Sequence, residues 1–356
     1  MKNVLFIYTN FSTFVKKDYY FLNQKMHVDK YHFKTGKDLF VLCVSLLKQF
    51  WFLILNINKY RKVYIWFSDY HSVLPVLFSK MFGLKSYLII GGYDVTGIPQ
   101  ISYGIFYSNR FRKYCNKISI QFANYILPVD DSLIKGINSY CEKNSNLPVG
   151  IKHIVPQPKG KIITVPTGYD ITFGDKAYSF KREKSVLSVA VITNRKRWIL
   201  KGGDFLVDIA RITPEVNFHF FGLDNDFIIE LQKDKLPSNF FLHGYIKNDE
   251  LENIYSKHLI YAQFSLSEGL PNVLCEAMLC ECIPVGSNVN GIPQAIGNTG
   301  YILNINNIEK AKKLILQAIN SDKLLGAKAR ERIIEKFDEN KRKSLLETIL
   351  NDPICD

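Results

Sequence analysis

Two glutamates with seven residues between them stand in the segment Ser267-Glu-Gly-Leu-Pro-Asn-Val-Leu-Cys-Glu276. An apolar run before the segment predicts a strand, and the residues after Pro271 predict a helix. Free backbone N–H groups around Leu270 to Val273, at the start of that helix, suit an anion such as a phosphate. Glu276, one turn into the helix, is placed to accept hydrogen bonds from a ribose. Two surface glutamates beside an ordinary turn are the alternative that this spacing leaves open.

The same segment resembles the glutamate-x7-glutamate signature of retaining nucleotide-sugar glycosyltransferases with the GT-B architecture, glycosyltransferase family 4 in particular. The stretches Ala277-Met-Leu-Cys-Glu-Cys-Ile-Pro-Val-Gly286 and Gly291-Ile-Pro-Gln-Ala-Ile296 resemble the family as well. The resemblance implies that Glu268 lies by the donor sugar and that Glu276 binds the ribose hydroxyls. It also implies that the donor is held by the residues between them, Gly269, Leu270, Pro271, Asn272 and Val273.

Three residues depart from the family pattern. Glu281, Asn290 and Gln294 stand where Gly, Gly and Glu are usual. We expect these positions on the rim of the site, where they affect the preference for a donor sugar more than the fold.

A basic segment, Thr193-Asn-Arg-Lys-Arg-Trp-Ile-Leu-Lys-Gly-Gly203, follows the first predicted strand of the second half. The family has an Arg and a Lys six residues apart in this loop, so the resemblance implies that Arg195 and Lys201 reach the donor diphosphate. Fixed cations suit this role because the departing diphosphate gains negative charge in the transition state. Lys196 or Arg197 as the true partner, and a merely solvated basic loop, are the alternatives.

Further segments resemble the family more faintly. Val165-Pro-Thr-Gly-Tyr-Asp-Ile-Thr-Phe173 is similar to the hinge that closes the first domain. Leu242-His-Gly-Tyr-Ile246 is similar to the stretch that meets the nucleobase, which implies nucleotide contacts from Tyr245 and Ile246.

On the acceptor side, Gly91-Gly-Tyr-Asp94 stands where the family often has His-Gly-x-Asp, so the usual histidine is absent. We place Gly91, Gly92 and Asp94 near the acceptor. His71 follows a predicted strand and is a further candidate for the acceptor side, with a structural histidine in the core as the alternative.

Short apolar runs alternate with amphipathic stretches along most of the chain, which is typical of parallel strands joined by helical crossovers. In the first half we predict strands at Val4–Tyr8, Val63–Phe67, Tyr87–Ile90 and Tyr125–Pro128, and helices near 37–57, 72–82, 104–116 and 131–141. The alternation restarts at Val186–Ile192. Together with the resemblance, this predicts an α/β fold of GT-B architecture, with two doubly wound Rossmann-like domains facing a cleft.

Clustered prolines and glycines between Asn144 and Asp175 indicate the connection between these domains. We predict an acceptor-binding domain at residues 1–166, a linker at 167–184 and a nucleotide-sugar-binding domain at 185–336. A C-terminal helix at 337–356 is expected to pack back toward the first domain.

Positive charge is concentrated in the first half of the 356 residues. Residues 1–164 hold 22 Lys and Arg against 8 Asp and Glu, a net +14, whereas the remainder holds 24 against 25. This asymmetry indicates an anionic partner for the first domain. No nucleic-acid-binding motif is present, so we expect an anionic membrane surface and no nucleic acid. A basic but freely soluble domain is the alternative.

The apolar run Leu39–Ile57 imitates a membrane span, but Lys48 and Gln49 interrupt its middle. A core helix of the first domain is the preferred interpretation. A helix that also touches a bilayer surface comes second, and a true span comes last.

Metal and cofactor signals are weak in this sequence. Among the seven cysteines, the cluster Cys275, Cys280 and Cys282 lacks a fourth ligand, and the seven histidines show no metal-ligand spacing. We therefore expect no metal and no cofactor, the nucleotide sugar being a substrate. The N-terminal MKNVLFIYTNFSTF predicts a strand and not a signal peptide, which favours a cytoplasmic protein with reduced thiols, peripheral at the inner face of the membrane.

The hypothesis from these residues is a metal-independent retaining glycosyltransferase. It moves a sugar from a nucleotide-diphosphate donor, with uridine as the expected base, to a hydroxyl of a saccharide or lipid-linked saccharide in surface polysaccharide synthesis. The motifs typical of serine hydrolases, P-loop kinases and dinucleotide-dependent dehydrogenases are missing. The rivals are another GT-B activity, either a nucleotide-sugar epimerase or an inverting transferase, and a catalytically idle scaffold that binds sugar nucleotides.

Overall fold

Two parallel sheets of six strands form the framework of the chain in the computed structural model, which describes residues 3–36, 38–141, 146–175, 182–322 and 324–352. The strands are β1 (Val4–Tyr8), β2 (Val28–His32), β3 (Lys62–Trp66), β4 (Lys85–Ile90), β5 (Tyr125–Pro128), β6 (Gly136–Asn138), β7 (Leu147–Val149), β8 (Lys161–Ile162), β9 (Glu183–Ile192), β10 (Phe218–Leu223), β11 (Phe240–Gly244), β12 (His258–Gln263), β13 (Ile283–Ser287) and β14 (Tyr301–Leu303).

Helices connect the strands of each sheet, as the alternating pattern predicts. They are α1 (Thr13–Lys25), α2 (Leu39–Asn56), α3 (Tyr70–Met81), α4 (Arg110–Phe122), α5 (Ile151–Ile154), α6 (Arg195–Leu200), α7 (Gly203–Arg211), α8 (Asn225–Gln232), α9 (Leu251–Lys257), α10 (Asn272–Leu279), α11 (Gly291–Ile296), α12 (Ile308–Ile319), α13 (Leu324–Phe337) and α14 (Glu339–Asn351).

Each sheet belongs to one of two compact units. The first unit comprises Met1–Gly136 and Pro148–Pro166, and the second comprises Ile137–Leu147 and Thr167–Asp356. Residues 137–147, predicted in the first domain, join the second because the Asn138 side-chain amide donates to the carbonyl of Leu266 at 2.8 Å. Part of the predicted linker, residues 176–181, lies outside the described residues. The predicted cleft between the domains stays a prediction.

Strand order in the second unit is β11-β10-β9-β12-β13-β14, and every pair is parallel. Renumbered from β9, this is the 3-2-1-4-5-6 order of a doubly wound sheet. The direction of winding reverses between β9 and β12, so the loops that leave their carboxyl ends are free to diverge and leave a crevice. In the first unit the order is β2-β1-β3-β4-β5-β8, also parallel throughout.

The prediction of a helix over 131–141 is wrong. The structure has a single 3₁₀ turn at Asp131–Leu133 and then the strand β6. The Asp130 carboxylate accepts hydrogen bonds from the backbone N–H and the hydroxyl of Ser132, which closes a tight turn in place of a helix start. Gly136 then disfavours helix continuation. The predicted helix near 104–116 likewise begins later, as α4 at Arg110.

Helix α2 overturns the preferred interpretation of the apolar run. Its buried residues are Ser45, Gln49 and Leu53, of which two are polar. The Gln49 amide donates to the carbonyl of His71 at 2.9 Å, and the Ser45 hydroxyl donates to that of Lys34 at 2.9 Å. Seven of its large apolar side chains instead lie at the surface: Leu39, Phe40, Leu47, Phe50, Trp51, Ile54 and Leu55. We call these seven residues the α2 apolar face.

The C-terminal helix α14 is part of the second unit. The backbone N–H of Glu339 donates to the carbonyl of Tyr169 at 2.9 Å, and that of Tyr169 donates to the carbonyl of Phe337 at 2.8 Å. Gly168 permits this approach, because a Cβ there would lie 2.5 Å from the Cα of Glu339. Residues 353–356 lie outside the described residues, and the expected packing of this helix toward the first domain stays a prediction.

Candidate active site

Two loops of the second unit emerge side by side where the strand order reverses. One follows β9 and carries α6 with the turn into α7, and the other follows β12 and leads into α10. The backbone N–H of Leu266 in the second loop donates to the carbonyl of Leu200 in the first at 2.8 Å. The two family-like motifs, whose residues Lys201 and Glu268 are 67 residues apart in sequence, therefore meet at the carboxyl edge of the sheet.

A pair of glycines brings Lys201 to the end of β12. Lys201 is the C-cap that directly follows α6, and Gly202 comes next with φ of +77°, a conformation that L side chains rarely adopt. A Cβ on Gly202 would also lie 2.4 Å from the carbonyl oxygen of Phe264, so only glycine permits the close approach. Gly203 is equally constrained, because a Cβ there would lie 2.1 Å from the ring of Trp198.

Lys201 and Glu268 form an ion pair at this edge. The Lys201 Nζ lies 2.5 Å from Glu268 Oε1, and the two side chains are 22% and 11% exposed. The same carboxylate oxygen accepts from the Gln263 amide at 3.0 Å and from the Ser265 hydroxyl at 2.8 Å. Removing one member of so sheltered a pair leaves the other charge uncompensated. Glu268 is thus fixed by three donors.

Gln263 and Ser265 are functional candidates that the sequence reasoning missed. Both are buried, and Gln263 bonds in turn to the Ser265 hydroxyl at 2.7 Å and to the Tyr261 hydroxyl at 3.0 Å. The available signal was their position, since polar residues at the carboxyl end of a central parallel strand lie where ligands bind in such sheets. They hold the Glu268 carboxylate in one orientation.

The loop into α10 presents backbone donors. No side chain caps the N-terminus of α10, and Pro271 precedes its first residue. The loop is held in place because the N–H of Gly291 donates to the carbonyl of Gly269 at 3.0 Å, while the Asn290 amide donates to that of Glu268. The Asn272 side chain accepts from the Tyr169 hydroxyl at 3.0 Å. A helix start without a side-chain cap suits a phosphate.

Glu276 lies half-buried on α10, one turn beyond this helix start. The Tyr255 hydroxyl donates to its Oε2 at 3.3 Å. Burial, together with the nearby Glu276 carboxylate, raises the pKa of Tyr255 well above its usual value, so the hydroxyl stays protonated. Tyr255 therefore orients one oxygen of the Glu276 carboxylate.

The structure does not bring Arg195 to Lys201 and Glu268. Its guanidinium lies between two other carboxylates, 2.7 Å from Asp234 and 3.1 Å from Asp204. Asp204 is held in turn by the indole N–H of Trp198 at 2.7 Å. Arg195 is about half exposed, so its role at the diphosphate stays a prediction that would require it to leave these partners.

The remaining donor-side predictions lie at varied places in the second unit. Tyr245 and Ile246 directly follow β11 at the carboxyl edge of the sheet, with Tyr245 exposed. Asn290 contacts the Glu268 loop and has φ of +45°, which explains why glycine is usual there. Glu281, with φ of +61°, stands beyond the C-terminus of α10, at the opposite end of that helix from Asn272. The expected rim position is therefore wrong for Glu281.

In the first unit, Asp94 is a buried carboxyl that organises a loop. It accepts the backbone N–H groups of Ser68, Gly91 and Gly92 at 3.1, 3.2 and 2.8 Å. Burial raises the pKa of Asp94 to about 6, against the opposing effect of these hydrogen bonds. Phe67 fills the space beside Gly91, because a Cβ there would lie 2.2 Å from its ring. A histidine at position 91 could not fit beside Phe67 as it stands.

His71 is a structural residue. It is buried, and its Nε2 lies 2.8 Å from the carbonyl oxygen of Trp66. Burial lowers the pKa of His71, so it is uncharged at neutral pH. The imidazole is enclosed by the core of the first unit, which favours the alternative of a structural histidine over a place on the acceptor side.

Comparisons with known proteins find similarity to glycosyltransferases. Residues 175–339 match the family model "Glycosyl transferases group 1". The chain is 23% identical over 302 residues to N-acetyl-alpha-D-glucosaminyl L-malate synthase of Bacillus anthracis, covering 80% of this chain and 73% of that protein. It is 30% identical over 185 residues to poly(ribitol-phosphate) alpha-N-acetylglucosaminyltransferase of Staphylococcus aureus, covering 48% of this chain and 36% of that protein.

A solved structure shares the fold. Anabaena HepE, crystallised with UDP and glucose, superposes with a TM-score of 0.70 at 13% identity, over 99% of this chain and all of that one. The α/β architecture with two parallel six-stranded sheets is the GT-B fold, as predicted. The chain is therefore a glycosyltransferase with the GT-B fold, and its residues 175–339 are the part that matches the group 1 glycosyl transferases.

Proposed function

We propose that this enzyme is a family 4 transferase that moves a sugar from a uridine-diphosphate donor to an acceptor hydroxyl with retention of anomeric configuration. The observation that carries the proposal is the Lys201–Glu268 pair beside the uncapped start of α10, with Glu276 one turn further on. UDP-N-acetylglucosamine is the first donor to test, because the Bacillus anthracis and Staphylococcus aureus relatives are both named for that sugar.

The reaction follows from these groups. The bond from the anomeric carbon to the diphosphate oxygen breaks, and the acceptor oxygen forms a bond to that carbon on the same face. The acceptor proton passes to the departing phosphate oxygen. Lys201 and the N–H groups at the start of α10 stabilise the charge that develops on the diphosphate, and Glu268 lies by the sugar. In this proposal the cation is a lysine, and no metal takes part in the transfer.

The test is a donor and product analysis with the full chain. Nucleotide sugars are screened by thermal shift, since a ligand at 100 times its Kd adds about 2.7 kcal/mol of stability. The best donor is then incubated with candidate acceptors, and the anomer of the product is read by NMR. An inverted anomer, an epimerised nucleotide sugar, or binding without transfer or donor hydrolysis would each contradict the proposal and favour one rival.

The proposed acceptor is a lipid-linked saccharide at the cytoplasmic leaflet, within surface polysaccharide synthesis. Support comes from the α2 apolar face, which turns away from the unit that α2 contacts through Ser45 and Gln49. By length and composition, Leu39–Lys59 is long and apolar enough to cross a membrane, a weak signal on its own. The net +14 of residues 1–164 suits an anionic bilayer. Apolar side chains beside basic ones are typical of interfacial helices.

We expect the variant Trp51→Ser/Leu55→Ser to lose at least tenfold in partitioning to anionic liposomes. Both side chains are exposed, at 58% and 74%, so their replacement leaves the fold intact while removing inserted apolar area. Flotation with anionic and neutral vesicles at low and high salt measures the effect. Ile229→Ser, an exposed apolar residue on α8 of the second unit, is the matched control. Salt-insensitive recovery of the wild type in the soluble fraction with both vesicle types would contradict the membrane proposal.

A further inference from the structure

A histidine and carboxylate cluster lies at the amino-terminal edge of the second sheet. Glu183 begins β9, His258 begins β12, and His219 is the second residue of β10. One ligand-type atom of each lies within 4.8 Å of the others. This edge is opposite to the one from which the Lys201 and Glu268 loops leave, so the cluster is separate from the proposed transfer site.

Both imidazoles of the cluster are held at one nitrogen. His219 Nδ1 lies 3.0 Å from His243 Nε2, and His258 Nδ1 lies 2.7 Å from the Ser185 hydroxyl. Metal-binding histidines almost always donate their second ring N–H to a hydrogen-bond acceptor, which sets the tautomer and the ring orientation. Because these two bonds engage Nδ1 of each ring, Nε2 is the nitrogen that we assign to a ligand.

Packing orients the rings further. His243 stacks on Phe221 with centroids 3.9 Å apart, and His219 stacks on Phe241 at 4.9 Å.

We propose that Glu183, His219 and His258 bind one Zn²⁺ ion, with water as the fourth ligand. Two imidazoles and one carboxylate are a donor set that zinc accepts in tetrahedral geometry, and it is poor for magnesium or calcium, which prefer oxygen. Tetrahedral ligands at zinc distances lie about 3.3 Å apart. The ligand atoms now lie within 4.8 Å of one another, and a movement of the exposed Glu183 side chain shortens its distances to the two imidazoles. The exposure of Glu183 also gives the ion its entry path. By joining three strands, the ion stabilises the folded second unit and takes no part in sugar transfer.

Zinc titration of the full chain tests the site. The chain is prepared without a polyhistidine tag, stripped with a chelator and titrated with zinc chloride against a competing chromophoric chelator. We expect one ion per chain and a higher thermal midpoint in its presence. Glu183→Gln is expected to weaken binding at least tenfold. His27→Gln is the matched control, because His27 and Asp29 form a histidine–carboxylate pair at 3.2 Å in the first unit, away from the cluster.

A second variant tests the supporting hydrogen bond. His243→Phe keeps the stack on Phe221 but removes the partner of His219 Nδ1, so we expect a 10- to 100-fold loss of zinc affinity. Circular dichroism and the midpoint without zinc show whether each variant is folded. The proposal is overturned if the wild type binds no stoichiometric zinc. It is equally overturned if folded Glu183→Gln and His243→Phe both bind as the wild type does, which would indicate adventitious surface binding only.

Discussion

Replacing Lys201 with methionine is expected to lower kcat by about 10²- to 10³-fold, with a smaller change in the affinity for the donor. The physical reason is that Lys201 is the cation that the structure holds beside Glu268, 2.5 Å away, at the carboxyl edge of the sheet. A cation that faces the departing diphosphate stabilises it most in the transition state, when negative charge develops on the diphosphate. Steady-state kinetics with saturating donor, together with single-turnover rates, measures the effect.

Two controls separate this effect from a loss of structure. Lys201→Met alone leaves Glu268 without its cation, whereas the double variant Lys201→Met/Glu268→Gln leaves no unpaired charge, so its thermal midpoint should be nearer to the wild type. Arg195→Met tests the other predicted cation. Because Asp204 and Asp234 hold Arg195, we expect a smaller fall in kcat than for Lys201→Met. A Lys201 variant that changed KM alone would show that this residue only docks the donor.

Glu276→Ala should weaken the binding of UDP and of the whole donor alike, by about 10- to 150-fold. A hydrogen bond to a charged group contributes roughly 1.5–3 kcal/mol, and the Glu276 carboxylate is proposed to hold the ribose and not the transferring sugar. Tyr255 fixes one of its oxygens at 3.3 Å, so the carboxylate is already oriented. Isothermal titration with UDP and with the donor measures both affinities.

Glu281→Gly is the matched control for this change. It removes a carboxylate from the opposite end of the same helix and suits the φ of +61° found there, so the fold should be preserved and UDP affinity unchanged. A folded Glu276→Ala protein with the affinity of the wild type would remove Glu276 from the nucleotide site. A loss for the donor but not for UDP would instead move Glu276 to the sugar.

The α/β fold, and the two loops that carry the proposed donor site, could be predicted because their signals are local. Apolar runs of strand length followed by amphipathic stretches indicate crossovers, and a glycine pair after Lys201 or a Gly-Leu-Pro turn before α10 determines backbone geometry within a few residues. Ligands in doubly wound sheets bind beyond the carboxyl ends of strands, so loop positions in sequence already indicate the edge of the sheet.

The orientation of α2 and the partners of Arg195 were not predicted, because they depend on contacts with residues that are distant in sequence. Ser45 and Gln49 of α2 face the first unit because carbonyls of Lys34 and His71 accept their hydrogen bonds, and those partners are 11 and 22 residues away. Arg195 likewise pairs with Asp204 and Asp234, and the distant Asp234 could not be foreseen from spacing.

The histidine cluster shows most clearly the difference between what local sequence predicts and what only tertiary contacts decide. Glu183, His219 and His258 are separated by 36 and 39 residues and match no ligand spacing, so the sequence alone indicated no metal. The order β10-β9-β12 makes the strands that carry them neighbours, and parallel pairing aligns their amino ends. Local residue types determined the strands, helices and donor loops. Strand order and register decided which distant side chains meet, because those contacts form only when the strands pair into the sheet.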